Sequence, residues 1–206
     1  MLLAIDTSAG TSIAVVDREG GILAERSQSD TMRHAEVVGQ LIEAVLRESG
    51  IPIAALSGVV AGMGPGPFTG LRVGIAAAKA FAFGAGKPLV PVVSHDAVAF
   101  ERYADGHQGG LLVVTDARRR ELYWSAYVGV DELGLPIRED GPGLAKPDAM
   151  PHPALERFDA SVVSAGALGM LAELLYANGR KFPADEPLYL RSPDVTLSNG
   201  PKRVSA

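Results

Sequence analysis

The chain has 206 residues, of which 47% are hydrophobic and 21% charged, and its formal net charge is −5. This composition is typical of a folded globular protein. The absence of cysteine excludes disulfides, thiolate metal sites and a cysteine nucleophile. The negative charge is opposite in sign to a nucleic-acid footprint, so the chain alone is not expected to bind nucleic acid directly. With neither a signal sequence nor an apolar run of membrane-spanning length, a cytoplasmic protein is expected.

The first half of the chain predicts the order βββαβαβ, followed by one more helix. Short apolar, β-rich runs predict the strands, and apolar residues at helical spacing predict the helices. Gly50 and Pro52 are stop signals for the first helix. The predicted ranges are strands over 2–6, 12–17, 22–27, 57–63 and 89–93, and helices over 33–49, over 70–84 and from about 94.

The second half partly repeats this pattern after a turn at residues 105–110. Residues 111–128 have the layout of the first two strands, so that Asp116 occupies the place of Asp6. A strand over 160–165 and a helix over 167–178 are expected, whereas residues 134–153 are rich in Pro and Gly and predict irregular structure. The tail after Pro193 is expected to be frayed.

Two lobes are therefore predicted, an N-terminal lobe over 1–104 and a smaller one over 105–206. A duplicated βββαβα unit with a trimmed second copy is the α/β architecture of the actin-like ATPases (the ASKHA, ribonuclease H-like fold) and is shared by actin, sugar kinases and Hsp70.

Two aspartates end the first strand of each predicted lobe. Asp6 is followed by small residues, as in the first phosphate loop of actin-like ATPases, where a carboxylate holds Mg²⁺. The alternative is an aspartate that accepts hydrogen bonds from backbone amides in a tight hairpin. Asp116 is ambiguous in the same way, but the loop after it has Ala117 and then three arginines, where phosphate would need glycines. The second phosphate loop therefore resembles a degraded one.

The most specific string is GPGPFTGLRVG, over residues 64–74. Its Gly-Pro pairs predict a rigid turn, and Thr69 is predicted to cap the helix that follows. The start of this helix could hold an anion. The favoured alternative is a structural turn with close backbone packing at Gly70 and Gly74. No lysine stands where a P-loop requires it, so that motif is excluded.

The two helices of the first lobe have more apolar surface than one sheet can cover. Apolar residues of the first helix span roughly 200° of its circumference, and the second helix is apolar on nearly every side, where about 100° suffices for one buried face. We therefore expect these helices to form a protein interface. The candidate interface residues are Val38, Ile42, Val45, Phe68, Leu71, Arg72, Val73, Ala77 and Phe81.

The four histidines form neither an HExxH motif nor an HxxxH pair, so no metal site is predicted. Ser94, His95 and Asp96 are adjacent in sequence, and consecutive side chains on one element do not converge as a catalytic triad. Ser94 is instead predicted to cap a helix. No catalytic residues are assigned.

The sequence resembles the TsaB (YeaZ) family from Met1 to about Arg191. The resemblance is carried by MLLAIDTSAG, by the RHAE string that opens the first helix, by GPGPFTGLRVG, by the DAR string at Asp116 with Glu121 and Tyr123, and by PLYLR over 187–191. It implies an actin-like bacterial cytoplasmic protein that is required to form threonylcarbamoyladenosine beside the tRNA anticodon.

The resemblance also implies a non-catalytic accessory subunit of a complex. Its catalytic paralogue TsaD would bind helices 33–49 and 70–84 and be activated, with the ATPase TsaE as third component. These helices would alternatively pair with a second copy of the chain. ATP or ADP is expected near the junction, with Asp116, Arg118 and Glu121 as candidate contacts, and tRNA is reached only through the complex. The rival hypothesis is an actin-like small-molecule kinase or ATPase that uses Asp6 and Asp116.

Overall fold

The computed structural model describes residues 1–30 and 33–191, which form two β-sheets and four α-helices. The predicted frayed tail lies outside the described residues. The strands are β1 (Leu2–Asp6), β2 (Thr11–Asp17), β3 (Gly21–Gln28), β4 (Gly58–Gly62), β5 (Leu89–Val92), β6 (Leu111–Asp116), β7 (Leu122–Val130), β8 (Pro136–Ala145) and β9 (Glu156–Asp159). The helices are α1 (His34–Ser49), α2 (Phe68–Ala85), α3 (Ser94–Ala104) and α4 (Ala165–Ala177).

The two sheets repeat one topology. The first has the order β3-β2-β1-β4-β5 and the second β8-β7-β6-β9. In each sheet the first three strands in sequence form an antiparallel meander, and the next strand pairs in parallel with the first. Asp6 and Asp116 end the equivalent strands β1 and β6. The predicted duplication and actin-like fold are confirmed.

The first sheet is covered on both faces, which explains why every residue of β1 is buried. Because side chains alternate along a strand, Leu3 and Ile5 face the side where α1 and α2 pack, and Leu2 and Ala4 face α4. Gly50 ends α1 in a left-handed conformation with φ of 66°, which glycine adopts without a steric penalty.

Two helices cross from the half that encodes them to the other sheet. Helix α3 follows the first sheet in sequence but packs on β6, β7 and β8, and α4 ends the second half but packs on β1 and β2. The two helices also contact each other. One continuous apolar core therefore joins both sheets, with Val98 of α3 and Leu168 of α4 among its buried members.

Two predictions for the second half are wrong. The strand expected over 160–165 lies earlier, at Glu156–Asp159. Residue Ser164 is the N-cap of α4, where its hydroxyl accepts the N–H of Ala167, so this segment leads into a helix instead of pairing. Residues 134–153 contain the ten-residue strand β8, whose irregular register with β7 accommodates Gly and Pro at the sheet edge.

The second lobe is trimmed, as predicted. Between β8 and β9 the described chain has only a 3₁₀ turn at Pro147–Ala149, where the first lobe has α1 between β3 and β4. The outer face of the second sheet is covered by a small apolar cluster around Leu112 and Val114. None of the helices in residues 1–30 and 33–191 is long and apolar enough to span a membrane.

Candidate partner-binding face and lobe junction

The carboxylate of Asp6 is buried and fully engaged in hydrogen bonds. Its Oδ1 accepts the N–H of Ser8 at 2.8 Å and the Ser8 hydroxyl at 2.6 Å, and its Oδ2 accepts the Ser94 hydroxyl at 2.5 Å. Burial raises the pKa of Asp6 above its ordinary value, and the bonds from Ser8 and Ser94 oppose that rise. Asp6 thus ties the β1–β2 turn to the start of α3, which is the structural one of its two predicted roles.

The GPGPFTGLRVG segment is a close-packed junction. A Cβ atom on Gly70 would lie 2.7 Å from the carbonyl oxygen of Thr7, and one on Gly74 would lie 2.1 Å from the Thr7 hydroxyl oxygen. That hydroxyl donates to the carbonyl of Gly70 at 2.7 Å. The favoured structural interpretation of these glycines is confirmed.

Both predicted serine or threonine caps are wrong. Helix α2 has Pro67 at its N-cap position and begins at Phe68, so Thr69 already lies inside its first turn. Helix α3 has Val93 at its N-cap position. The Ser94 hydroxyl instead donates to Asp6 and accepts the N–H of Gly64.

The Ser94-His95-Asp96 string directs its three side chains to different partners. Ser94 bonds Asp6, Asp96 accepts the hydroxyl of Tyr127 at 2.7 Å, and His95 lies between two hydroxyls of the second sheet. Burial lowers the pKa of His95 from 6.5 to about 3, with a smaller effect from Arg138. The neutral imidazole therefore joins α3 to β6 and β7, and these three residues do not form a catalytic constellation.

Helices α1 and α2 lie side by side and present an outer face of small and apolar residues. Exposed on it are Ala35 and Gly39 of α1 and Ala76 and Ala80 of α2. Half-buried on it are Val38, Ile42, Val73, Ala77 and Phe81. Near the end of α2, Phe83 is 90% exposed. We call this set the outer helix face.

The structure separates the nine predicted interface residues into three groups. Val38, Ile42, Val73, Ala77 and Phe81 belong to the outer helix face. Val45 and Leu71 are fully buried in the core beneath it, so they support the helices without offering surface. Phe68 and Arg72 lie on the flank of α2, where the Arg72 guanidinium is 3.7 Å from the Phe68 ring centroid. The exposed alanines at helical spacing from Val73 were missed.

Asp116 is the last residue of β6, and Arg118 and Glu121 lie in the β6–β7 turn that follows it. Arg118, Arg119 and Arg120 have positive φ angles of 65°, 51° and 61°, a left-handed conformation that is costly for residues other than glycine. Asp116 Oδ1 accepts the N–H of Arg118 at 2.9 Å, and its Oδ2 lies 3.5 Å from the Arg118 guanidinium. We call residues 118–120 the arginine turn.

The arginine turn is held from behind by the C-terminal segment. Arg191 donates to the carbonyl of Ala117 at 3.0 Å and forms an ion pair with Glu121 at 3.1 Å, and both of these charged side chains are about one-quarter exposed. Upstream, the N–H of Leu188 donates to the carbonyl of Met63, and the Tyr189 ring lies 4.8 Å from that of Phe68. We call these contacts of residues 188–191 the clasp. No local pattern in the sequence predicts it, because its partners are about 70 residues or more apart.

A cleft of about 290 Å³ lies where the two lobes meet, bordered by Ser8, His34, Thr69 and Arg118. His34 is buried and its Nδ1 lies 2.7 Å from the Thr11 hydroxyl. Burial, and then the positive charge of Arg118, lower the pKa of His34. Within the described residues, no three His, Asp or Glu side chains form a group that could hold a metal ion.

Comparison with known proteins gives concordant matches. The family model described as TsaD, tRNA N6-adenosine threonylcarbamoyltransferase, matches residues 5–139. An uncharacterized protein of Mycobacterium tuberculosis H37Rv is 38% identical over 204 residues, which cover 94% of this chain and 93% of that protein. The tRNA threonylcarbamoyladenosine biosynthesis protein TsaB of Escherichia coli K12 is 27% identical over 165 residues, which cover 80% of this chain and 70% of that protein.

A solved structure has the same fold. It is a Pseudomonas aeruginosa protein described as uncharacterized with similarity to peptidase YEAZ, with a TM-score of 0.77 and 26% identity, covering 92% of this chain and 99% of that one. The duplicated sheets and this likeness define a two-lobed protein of the actin-like class. The chain belongs to the family of TsaD-type domains, and within it to the TsaB (YeaZ) family.

Proposed function

We propose that this chain is a non-catalytic accessory subunit in the biosynthesis of tRNA threonylcarbamoyladenosine, where it binds and activates the catalytic paralogue TsaD in the cytoplasm. The observation that carries the proposal is the outer helix face. Exposed Ala and Gly on both helices allow a partner helix to approach closely, and the half-buried Val38, Ile42 and Val73 beside them gain further burial on contact.

The same face suits a helix pair of a paralogue or of a second copy of the chain. Apolar groups that form a continuous strip on a monomer mark an interaction surface. We propose pairing with TsaD in the active complex and self-pairing when TsaD is absent. TsaE is proposed as the third component, with ATP or ADP bound near Asp116, Arg118 and Glu121 at the junction, and tRNA is reached through the assembled complex.

The rival hypothesis of an actin-like kinase or ATPase has less support. Among the described residues, Asp6 accepts hydrogen bonds from Ser8 and Ser94, which would compete with a Mg²⁺ ion for its oxygens. The equivalent loop after Asp116 offers arginine side chains where a phosphate would need backbone amides of glycines. Mg-ATP hydrolysis by the isolated chain that disappears in Asp6→Asn would revive it.

The test replaces Ala77 by Glu and mixes the variant with TsaD from the same organism. A charge in the middle of the outer helix face would be buried without a partner, so the heterodimer should be lost while the monomer remains folded. Ala104→Glu is the matched control, because Ala104 is an exposed helical alanine on α3.

The readouts are size-exclusion chromatography with light scattering and a threonylcarbamoyl-transfer assay with each subunit omitted. We expect wild type and Ala104→Glu to co-elute with TsaD, and transfer to require both chains. Co-elution of Ala77→Glu at wild-type affinity would reject the outer helix face as the interface. Transfer by TsaD alone at the full rate would reject the accessory role.

A further inference from the structure

The arginine turn is the most basic local feature of an acidic protein. The sequence has a net charge of −5, and residues 118–120 are its one run of three consecutive basic residues. All three are exposed at the tip of the β6–β7 hairpin. Arg118 pairs with Asp116 and Arg191 pairs with Glu121, so the three arginines of the turn together with Arg191 outnumber these two carboxylates.

The backbone of the turn is costly to form with these residues. A left-handed conformation disfavours a residue with a Cβ atom by about 1–2 kcal/mol, and glycine avoids this penalty. Three consecutive arginines adopt this conformation. Strain of this kind is retained where the surrounding structure enforces it, and it clusters at ligand-binding positions. The hairpin itself does not require arginine at these positions, because glycine would adopt the same conformation without the penalty.

The clasp from the C-terminal segment supplies the enforcing contacts. Arg191 donates to the carbonyl of Ala117 and more weakly, at 3.5 Å, to that of Arg118, and it also neutralises Glu121. The backbone beneath the three side chains is thus held before any ligand arrives. A pre-formed set of donors binds with a smaller loss of conformational entropy than a mobile one.

From these observations we propose that the arginine turn contacts the phosphate backbone of RNA. Guanidinium groups match phosphate oxygens with paired, charge-assisted hydrogen bonds. Arg119 and Arg120 are exposed at the tip of the hairpin, where an extended polyanion can reach them, and Arg118 borders the cleft beside it. The choice of tRNA as this RNA rests on the function proposed above.

The test compares the triple variant R118Q/R119Q/R120Q with the matched triple variant R18Q/K146Q/K181Q, which removes three exposed basic residues elsewhere. Co-elution of each with TsaD is checked first. Fluorescence anisotropy then measures binding of an unmodified tRNA transcript to each complex between 50 and 200 mM salt. Each lost phosphate contact lowers the slope of log affinity against log salt by about 0.7–0.9. We expect a drop of roughly 2 and at least about tenfold weaker binding for the arginine-turn variant.

Equal affinity and slope for both triple variants would overturn the proposal. Loss of co-elution with TsaD by the arginine-turn variant alone would also overturn it, since the turn would then be a protein contact. A parallel titration with ATP distinguishes a nucleotide as the source of phosphate, and loss of ATP binding with unchanged tRNA binding would reject RNA as the ligand.

If the proposed function is wrong, the experiment gives a different set of results from those that would reject only the RNA contact. If wild type does not associate with TsaD, that function is rejected, and the RNA contact is judged on the isolated chain at 50 mM salt. There, crosslinking of wild type to tRNA that is lost only in the arginine-turn variant supports the contact, and equal crosslinking of both variants refutes it.

Discussion

Gly74 of α2 lies so close to Thr7 that a methyl group on Gly74 would be 2.1 Å from the Thr7 hydroxyl oxygen. Gly74→Ala should therefore lower the free energy of unfolding by about 1–3 kcal/mol, although alanine is the better helix former. Urea denaturation measures the change. Gly39→Ala in α1 is the control, because no atom lies within 4 Å of the added methyl group, and it should stabilise the protein by about 0.5–1 kcal/mol. A stabilising Gly74→Ala would contradict the close packing.

Replacing Asp6 by Asn should remove one part of the pH dependence of stability. The folded pKa of Asp6 is raised above 3.8, so the folded state holds the proton more tightly than the unfolded chain. Stability therefore falls as pH rises from 3.8 to the folded pKa, by up to about 1.4 kcal/mol per pH unit, and is level above it. Asp6→Asn should lack this fall.

Asp17 is the control for Asp6, because its pKa is shifted in the opposite direction. Backbone N–H groups of Gly20 and Glu19 lower the pKa of Asp17, so its contribution appears as pH rises and is lost on acidification through the lowered value. Asp17→Asn should therefore flatten a rise of stability with pH. Chemical denaturation across pH 2–7 distinguishes the two variants, and parallel curves for Asp6→Asn and wild type would refute the assignment.

The lowered pKa of His95 should make the folded protein less stable in acid. Its folded pKa of about 3 lies below its ordinary value of 6.5, so the unfolded state binds the proton first. Stability present above pH 6.5 should decline by about 1.4 kcal/mol per pH unit as the pH falls toward 3. His95→Gln should be less stable at neutral pH but show a shallower decline. His34 contributes in the same direction, so the difference between the two curves is the measure, and no difference would reject this role for His95.

Arg191→Gln should destabilise the protein through the clasp. The substitution removes a charge-assisted hydrogen bond to Ala117 and leaves Glu121, which is about one-quarter exposed, without its cation. We expect a loss of about 1–3 kcal/mol in urea denaturation. Arg157→Gln breaks the exposed pair with Asp159 and should cost at most about 1 kcal/mol. Equal effects of the two substitutions would mean that the clasp adds nothing beyond a surface ion pair.

Much of the first lobe is predictable from local patterns. Continuous apolar runs mark β1 and β2, and apolar residues at helical spacing mark α1 and α2, because these elements build the core on the two faces of the first sheet. Strands β8 and β9 escape the same reasoning because they lie at the edges of the second sheet, where polar residues such as those of Glu156–Asp159 are tolerated.

The features of the site that depend on neighbouring residues could be predicted from the sequence, and those that depend on residues far apart in the chain could not. The glycines at 70 and 74 indicate close packing from the sequence itself. The roles of Ser94 and Arg191 depend on partners 88 and 74 residues away, Asp6 and Ala117, and no local motif encodes such pairs. Likewise the sequence indicates only a degraded phosphate loop at the run of arginines, and the backbone conformation of the turn is seen only in the structure.

The crossing of α3 and α4 makes the two halves of the chain interdependent. A fragment of residues 1–104 would lack α4, and the face of the first sheet that carries Leu2, Ala4 and Val16 would be open to water. The remaining fragment would lose α3 from its own sheet. Each half produced alone should therefore aggregate, whereas the two halves produced together should reassemble into a folded protein. A break in the loop between α3 and β6 would then leave the two fragments associated. Helix α3 of the first fragment would still pack on the second sheet, and α4 of the second fragment would still pack on the first sheet.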